Sequence, residues 1–449
     1  MKNLPKGSKK LLNAWAFYDW ANSVYPLVIS SAIFPIFYGA ITIVKNEQGA
    51  IIDDTVEFLG FNLNNDSLIS YVTAFAFLVI SISSPLLSGI SDYVGNKKSF
   101  LKFFCYLGAV SCIGLFWFNL DFLWFGLLCY FLALVGFWSS LVFYNSYLPD
   151  IAYPNQQDKI SAKGFSLGYI GSVILLIICL IMIMKYEWFG FEDEGLPTRL
   201  SFVFTGIWWI GFSQYTYYYL PVGNKKQKMT RDVLFNGFRE LKLIWGFLQH
   251  QLVLKRYLVA FFTYSLAVQT IMLIATYFGI EELDWGEQDA TTGLIVSILL
   301  IQLVAVAGAT LTARIALKIG NIKTLIMLNL FWIAICVYAY FIISPQQFYV
   351  AAACVGLVMG GTQALSRSTY SKMLPEDTLD TASYFSFYDV SEKIGIVIGM
   401  LMYGIVAQLT GSVRNAILFL VVFFIGGVIL LIRVPKEKGG KSNYLGLIK

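Results

Sequence analysis

Charged residues are scarce in this sequence. Of its 449 residues only 13% are Asp, Glu, Lys or Arg, and 57% are apolar, whereas soluble domains carry roughly 25% charged residues. A water-soluble core could not bury this much apolar surface, so a soluble globular protein is excluded. Runs of about 20 apolar residues recur along the chain, and each is long enough to cross a bilayer as a helix. The composition therefore predicts an integral membrane protein.

The sequence also lacks the usual signs of catalysis. His250 is the only histidine, which argues against a histidine-ligated metal site. The six cysteines lie in apolar runs without a CxxC pattern and are interpreted as small core residues. Neither a Walker A motif nor a nucleophile elbow is present. We therefore expect no enzymatic activity, no metal and no cofactor.

Twelve membrane-spanning helices can be drawn, which predicts an all-α membrane protein. They cover residues 14–44, 68–91, 99–119, 122–147, 164–185, 200–220, 256–280, 290–313, 323–343, 348–370, 384–409 and 415–433. The first follows a basic N-terminus without a signal-peptide cleavage site, so it is expected to remain uncleaved. The predicted organisation is an N-terminal six-helix half (1–220), a linker (221–255), a C-terminal six-helix half (256–435) and a tail (436–449).

Lysine and arginine are distributed unevenly between the connections. With both termini in the cytoplasm, only Lys45, Lys185, Arg199 and Arg414 of the 32 lie outside. The outer connections are acidic instead, with Asp53, Asp54, Glu57, Glu192, Asp193, Glu194, Glu281, Glu282, Asp284, Glu287 and Asp289. Because cytoplasmic loops are enriched in Lys and Arg, we predict that both termini, the linker and the tail are cytoplasmic.

Apolar residues in the linker recur at helical spacing. They are Leu234, Phe238, Leu241, Trp245, Leu248 and Leu252. Arg231, Arg239 and Lys242 lie off this stripe, so the pattern predicts an amphipathic helix that starts near Thr230 or Asp232 and lies on the cytoplasmic leaflet. Its role is either regulatory or, more simply, that of a passive tether.

The two halves repeat each other. The stretch from Tyr144 to Asp150 (YNSYLPD) matches 370–376 (YSKMLPE), and Gly95-Asn96 corresponds to Gly320-Asn321. Two parallel six-helix repeats joined by a central loop are the layout of many secondary transporters.

The end of the tenth predicted span is unusually polar. Gln363, Arg367 and Tyr370 form one helical stripe, and Thr362, Ser366 and Thr369 form the adjacent stripe. A membrane helix that turns polar on one face is expected to face other helices or a water-filled cavity. Arg367, a permanent cation, is the only charge in this span.

The first and seventh predicted spans also carry polar side chains. Asp19 shares a broad face with Asn22, and a carboxylate in the membrane is costly unless it is paired or hydrated. Asp19 is thus either a functional residue or an interfacial one that water reaches. Gln269 in the seventh span either binds a solute or bridges two helices.

The eleventh predicted span contains three charges, Asp389, Glu392 and Lys393. Asp389 and Lys393 are four residues apart and are predicted to pair within the helix. Glu392 then needs a partner, such as Arg367, or a proton. The cluster is either a proton-coupling site or an ion-pair network that closes the cytoplasmic end of a pathway.

The connection after the second span, from Ser88 to Lys98, reads SGISDYVGNKK. It resembles the loop motif of the major facilitator superfamily, Gly-x-x-x-Asp-Arg-x-Gly-Arg-Lys, with Ser88, Tyr93 and Asn96 as departures. Asp92 is expected to face a neighbouring helix N-terminus, and Gly95 to provide the tight turn.

Four further stretches point to one branch of that superfamily. Residues 18–23 (YDWANS), 144–149 (YNSYLP), 168–171 (GYIG) and above all 360–368 (GGTQALSRS) resemble the vacuolar amino-acid effluxer-like branch, named for autophagy-related protein twenty-two. The resemblance implies the major facilitator fold, with two six-helix repeats and a cytoplasmic linker helix, and secondary transport by alternating access. The compact loops favour a bacterial-type member in the cytoplasmic membrane.

The resemblance also implies which residues act. Spans 1, 4, 7 and 10 line the central cavity of that fold, which gives the substrate-binding candidates Asp19, Asn22, Tyr25, Tyr144, Asn145, Gln269, Gln363 and Arg367. The candidates for coupling or for an inner gate are Asp92, Gly95, Lys97, Lys98, Asp389, Glu392 and Lys393.

The expected function is secondary active transport of a small polar or amphipathic solute, with an amino acid or short peptide favoured. Proton coupling at Asp19 or Glu392 stays open. The alternatives are a carrier of sugars, cell-wall fragments or drugs, and, in a different class, a non-transporting sensor or a membrane enzyme. The expected partners are the solute, the lipid bilayer and protons, with no nucleic acid, and the protein is expected to be a monomer.

Overall fold

A computed structural model describes residues 4–45, 51–223, 233–286, 290–375 and 378–435. Within these ranges eleven helices are long and apolar enough to cross a membrane. A further helix of 25 residues, Gly195–Tyr219, takes the place of the sixth predicted span, and at 1.5 Å per residue it is roughly 37 Å long. It is rich in Trp and Tyr, which suit the membrane interface but lower the mean hydropathy. The predicted twelve-helix fold is confirmed.

The N-terminal half contains helices α1 to α8. They are α1 (Lys9–Asn22), α2 (Phe34–Thr42), α3 (Asn65–Val94), α4 (Lys97–Gly114), α5 (Leu123–Asn145), the short α6 (Leu148–Ile151), α7 (Pro154–Met184) and α8 (Gly195–Tyr219). The first span is not one regular helix, because a π-helical segment, Tyr25–Ile33, joins α1 to α2. Pro26 lies at its start and lacks the N–H that a regular helix would use there.

The linker and the C-terminal half contain α9 to α16. They are α9 (Val233–His250), α10 (Leu252–Glu281), α11 (Ala290–Ile319), α12 (Asn321–Tyr340), α13 (Pro345–Lys372), α14 (Thr381–Thr410), α15 (Val413–Phe419) and α16 (Val421–Ile432). The helix α15 and the helix α16 together form the last span. The tenth and eleventh predicted spans correspond to α13 and α14.

Two short antiparallel strand pairs lie between the first span and α3. In the first, β1 (Val44–Lys45) pairs with β2 (Ile51–Asp53), and in the second, β3 (Thr55–Phe58) pairs with β4 (Phe61–Asn64). Leu59 and Gly60 connect β3 to β4, both with positive φ, as a two-residue hairpin turn with the right twist requires.

Buried apolar side chains form two large clusters, one in each half. The first draws on residues 11–220 with Ala382 added, and the second on residues 244–434 with Val142 and Tyr169 added. Each half thus packs around its own core, and the few exchanged side chains mark where the halves meet.

The predicted linker helix is confirmed as α9, which packs mainly against α3 and also touches α10 and α14. Ile244 and Leu248 are buried, and the ring of Trp245 lies 5.5 Å from that of Phe387. The proposed helix start at Thr230 or Asp232, Arg231, the side chain of Leu234 and the tail 436–449 lie outside the described residues.

One face of the molecule carries the basic connections, and we call it the basic face. The chain enters α1 there, and Lys6 donates to the carbonyl of Pro149 in the short α6 that follows α5. Lys97, at the start of α4, pairs with Asp150 of the same short helix. The basic face therefore brings together the N-terminus and the ends of α3 and α5.

Candidate functional site

A buried ion pair joins the two halves. Arg367 of α13 donates from Nη2 to Asp19 Oδ2 of α1 at 3.1 Å, and the Tyr144 hydroxyl donates to the same oxygen at 2.9 Å. Arg367 also donates from Nε to the Ser161 hydroxyl at 2.9 Å and from Nη1 to Asn145 Oδ1 at 3.2 Å. We call Asp19, Tyr144, Asn145, Ser161 and Arg367 the Arg367 junction. It connects three helices of one half to a single cation of the other.

Aromatic rings complete the surroundings of this cation. The guanidinium carbon of Arg367 lies 4.2 Å from the ring centre of Phe165, 4.9 Å from that of Trp15 and 5.5 Å from that of Tyr144. Ring faces attract a cation, and the attraction grows when water is excluded. Only 3% of Arg367 is exposed, so the junction replaces almost all the water that this charge would otherwise bind.

The suggestion that Arg367 is the partner of Glu392 is wrong. Arg367 pairs with Asp19, and Glu392 accepts from Gln269 Nε2 at 2.7 Å and lies 3.3 Å from Lys393 Nζ. The reason is the packing of α13, which lies against α7 and α11 rather than along α14. Gln363 and Arg367 of the polar stripe therefore face α7 and α1, whereas Tyr370 donates to the carbonyl of Tyr384 on α14.

The predicted contact of Asp92 with a helix N-terminus is present. Its carboxylate accepts from the backbone N–H of Ser383 at 2.7 Å and from that of Ala382 at 3.4 Å, both in the first turn of α14. Free N–H groups and the positive end of the helix dipole favour a carboxylate there. Asp92 thus links the end of α3 to the other half on the basic face, and its gating role stays a prediction.

We expect Asp92→Asn to slow transport while leaving the apparent affinity for solute nearly unchanged. A hydrogen bond to a charged group contributes about 1.5–3 kcal/mol, and the variant weakens it only in the state closed at the basic face. Initial rates over a range of solute concentrations measure both quantities. Asp66→Asn is the matched control, because Asp66 is exposed in the first turn of the same helix. A normal transport rate in Asp92→Asn would show that Asp92 is not part of the gate.

The three other predicted loop residues have different surroundings. Gly95 ends α3 with a φ of 70°, a left-handed conformation that strains any residue with a Cβ. Lys98 donates to the carbonyl of Leu220 within its own half at 2.7 Å. Lys97 instead binds both Asp150 and, at 2.5 Å, the Thr381 hydroxyl of the other half.

A second polar link occupies the related position of the repeat. Lys372, at the end of α13, pairs with Asp158 of α7 at 2.5 Å. Asn321, at the start of α12, donates to Asp158 Oδ1 at 2.9 Å and to the Thr369 hydroxyl at 3.0 Å. The loop after α3 and the loop after α11 therefore each support a link between the halves, and the basic face is closed.

The remaining substrate-binding candidates do not form a single site. Gln363 accepts from the Tyr169 hydroxyl at 2.7 Å, across the interface between the halves. Asn22 is buried, and its Nδ2 is without a hydrogen-bond partner. The ring of Tyr25 packs inside the N-terminal half, 5.0 Å from that of Phe137.

A third group of polar residues lies on α14 and α10. Lys393 pairs with Asp389 Oδ1 at 2.5 Å, which confirms the predicted pair four residues apart. We call Gln269, Asp389, Glu392 and Lys393 the α14 cluster. Lys393 also lies 3.8 Å from the ring centre of Trp138 on α5, so this cluster too reaches the opposite half.

Sequence reasoning missed several residues that complete these sites, namely Trp138, Asp158, Ser161, Tyr169 and Lys372. Trp138 and Tyr169 lie in apolar runs, where an aromatic side chain usually indicates core packing. A signal existed for Asp158 and Ser161, since polar residues near a helix start on the basic face are expected to face the other half. The sequence did not indicate which residue they would meet.

Comparison with known proteins gives the family. The model of the family described as "Vacuole effluxer Atg22 like" matches residues 7–443. The uncharacterized MFS-type transporter YxiO of Bacillus subtilis (strain 168) is 30% identical over 438 residues, which is 95% of each chain. Autophagy-related protein 22-1 of Phaeosphaeria nodorum is 23% identical and covers 95% of this chain and 90% of its own.

Solved structures agree on the fold. The MFS transporter FucP in the outward conformation superposes with a TM-score of 0.69 at 13% identity, over 95% of this chain and 98% of FucP. The human organic anion transporter MFSD10 gives a TM-score of 0.63 at 12% identity, over 94% and 98%. With a family match over nearly its whole length and two six-helix halves meeting at polar links, the chain belongs to the family described as "Vacuole effluxer Atg22 like" and is an MFS-type transporter with the major facilitator fold.

Proposed function

We propose that this protein carries an amino acid or a short peptide across the cytoplasmic membrane by alternating access. The observation that carries the proposal is the Arg367 junction, a buried ion pair whose two charges belong to different halves. A pair in this position stabilises one orientation of the halves, and it must separate when they rock. The arrangement suits a carrier better than a sensor or an enzyme.

The polar residues nearer the middle of the membrane support a small polar solute. Gln363 with Tyr169 provides donors and acceptors across the interface between the halves, and Gln269 with Glu392 provides them within the C-terminal half, next to Lys393, which contacts Trp138 of the other half. Both amide side chains also have capacity left, since each carries two donors and an acceptor. Amino acids and short peptides offer the complementary ammonium, carboxylate and amide groups.

Proton coupling fits Glu392 better than Asp19. Asp19 is paired with a permanent cation and accepts from Tyr144 as well. Glu392 has only an amide donor and a lysine that it shares with Asp389. We therefore propose Glu392 as the residue that exchanges a proton.

Transport into proteoliposomes tests the function directly. We expect purified protein to move at least one member of a panel of radiolabelled amino acids and dipeptides, and the rate to respond to an imposed pH gradient. Sugars, cell-wall fragments and cationic drugs form the comparison panel. Transport of one of these with none of the amino acids or peptides would overturn the proposed solute class.

The proposed orientation places the basic face in the cytoplasm. In a variant without native cysteines, a thiol at Asp193, exposed on the opposite face, should react with an impermeant reagent in intact cells. A thiol at Lys159, exposed on the basic face, should react only after the membrane is opened. The opposite pattern would invert the topology. Positions 2 and 442 test the termini in the same way, although both lie outside the described residues.

A further inference from the structure

The α14 cluster contains more negative than positive charge. Asp389 and Glu392 are two carboxylates, and Lys393 is the single cation that pairs with them. Glu392 lies eleven residues after the first residue of α14, Thr381, which is about 17 Å along the helix. That depth is near the middle of a hydrocarbon core of about 30 Å. With all three groups ionised, the cluster carries one net negative charge inside the membrane.

In the part of the chain that the structure describes, Lys393 is the only cation that pairs with these two carboxylates. Lys393 lies 2.5 Å from Asp389 Oδ1 but 3.3 Å from Glu392 Oε2, so it favours the former. Arg367 is bound to Asp19 on the other half. The titratable groups around Glu392 are Tyr388, Asp389 and Lys393 on its own helix and Tyr264 on α10. A charge in the membrane without a counter-charge is costly, so the cluster needs one more cation.

One unpartnered acceptor atom and one partly exposed carboxylate are available to that cation. Asp389 is 95% buried, and its Oδ2 is without a hydrogen-bond partner. The Glu392 side chain is 18% exposed, the most open of the three charged side chains. The face of Trp138 already holds the ammonium of Lys393 at 3.8 Å, and aromatic faces beside carboxylates are a common means of binding organic ammonium groups.

We propose that the α14 cluster holds one exchangeable monovalent cation, either a proton on Glu392 or the ammonium group of the solute. The inference deepens the proposed function and rests on it. Because one net negative charge accepts one cation at a time, binding of the ammonium releases the proton to water, and protonation releases the amine. The two cations then cross in opposite directions, which makes the protein a proton–amine antiporter.

Each amino acid of the proteoliposome panel is compared with its N-acetyl derivative, which keeps the side chain and carboxylate but lacks the ammonium. We expect acid-inside vesicles to drive uptake of the free amino acid, and the N-acetyl derivative to be carried at least tenfold more slowly. Apparent KM for the amino acid should rise as the pH on the binding side falls, because protons compete for the same carboxylate.

Glu392→Gln should lose gradient-driven uptake by at least tenfold, and its residual transport should neither depend on pH nor prefer the free amine. Glu392→Asp should keep the competition between proton and amine, because it keeps the carboxylate. A purely structural role for Glu392 would not predict this result. Glu282→Gln is the matched control, because Glu282 pairs with Arg414, far from the cluster. Thermal unfolding of each variant confirms that it is folded.

The outcomes separate the two proposals. If the protein carries amino acids but accepts N-acetyl derivatives equally well, or if Glu392→Gln keeps its pH dependence, the antiport inference fails and the proposed function stands. If the unaltered protein carries no amino acid or peptide at all, the proposed function fails, and this inference fails with it.

Discussion

Arg367→Gln is expected to abolish transport and to lower the thermal stability of the folded protein. The guanidinium makes hydrogen bonds to Asp19, Asn145 and Ser161, all across the interface between the halves. Removing it leaves the buried carboxylate of Asp19 without a counter-charge, and breaking a buried pair in this way costs about 3–5 kcal/mol. Transport into proteoliposomes and thermal unfolding in detergent measure the two effects.

The double variant Asp19→Asn/Arg367→Gln separates the effect of an unpaired buried charge from the effect of the lost contact between the halves. Without either charge, no ion is left buried and unpaired, so we expect thermal stability to recover in large part while transport stays low. Arg414→Gln serves as the control, since Arg414 pairs with Glu282 at a partly exposed position. The pairing of Arg367 with Asp19 would be wrong if a charge reversal at Glu392 restored the thermal stability of Arg367→Gln and neutralising Asp19 did not.

Gly164→Ala is expected to cause a comparable loss of transport, although it adds only one methyl group. A Cβ at Gly164 would lie 2.2 Å from Asp19 Oδ2, 3.1 Å from Arg367 Nη2 and 3.3 Å from the Tyr144 hydroxyl. A contact of 2.2 Å is impossible, so either α7 moves away from α1 or the carboxylate turns away from Arg367. Both changes break the Arg367 junction, and we expect lower transport and a lower midpoint of thermal unfolding.

Gly211→Ala is the matched control for this prediction. Gly211 also lies within a membrane-spanning helix, α8, but nothing is within 4 Å of a Cβ there. The same substitution should therefore leave transport unchanged and, since Ala favours helices more than Gly does, should not reduce stability. Equal behaviour of the two variants would show that Gly164 does not support the junction.

Several features of the sites could be predicted from neighbouring residues in the sequence. Asp389 and Lys393 pair because a helix places residues four apart on one face. The contact of Asp92 with a helix N-terminus could be predicted because its loop motif resembles one whose place in the fold is known. Gly164 and Gly168 are four residues apart, a spacing of small residues typical of close helix packing, and Cβ atoms there would lie 2.2 Å from Asp19 Oδ2 and 2.4 Å from Ser23 Oγ.

Pairing between distant helices could not be predicted in this way. The sequence identified Asp19, Gln269, Arg367 and Glu392 as costly polar groups in the membrane, and all four have partners. It suggested Glu392 as the partner of Arg367, because the spacing of polar residues gives the face of one helix but not the neighbour that it meets. In the structure α13 lies against α7, and Arg367 reaches Asp19 instead.

The pattern of the sequence is enough to predict a twelve-helix membrane protein built from two repeats with a linker helix between them. Apolar length, helical periodicity and repeated motifs are local properties, and the bilayer makes them decisive because each spanning segment must satisfy its own backbone. The tertiary structure is needed to show which charges meet, which face is closed and that two carboxylates share Lys393 in the α14 cluster. These depend on helix packing between residues as far apart as Asp19 and Arg367, where contact is set by three-dimensional fit rather than by sequence spacing.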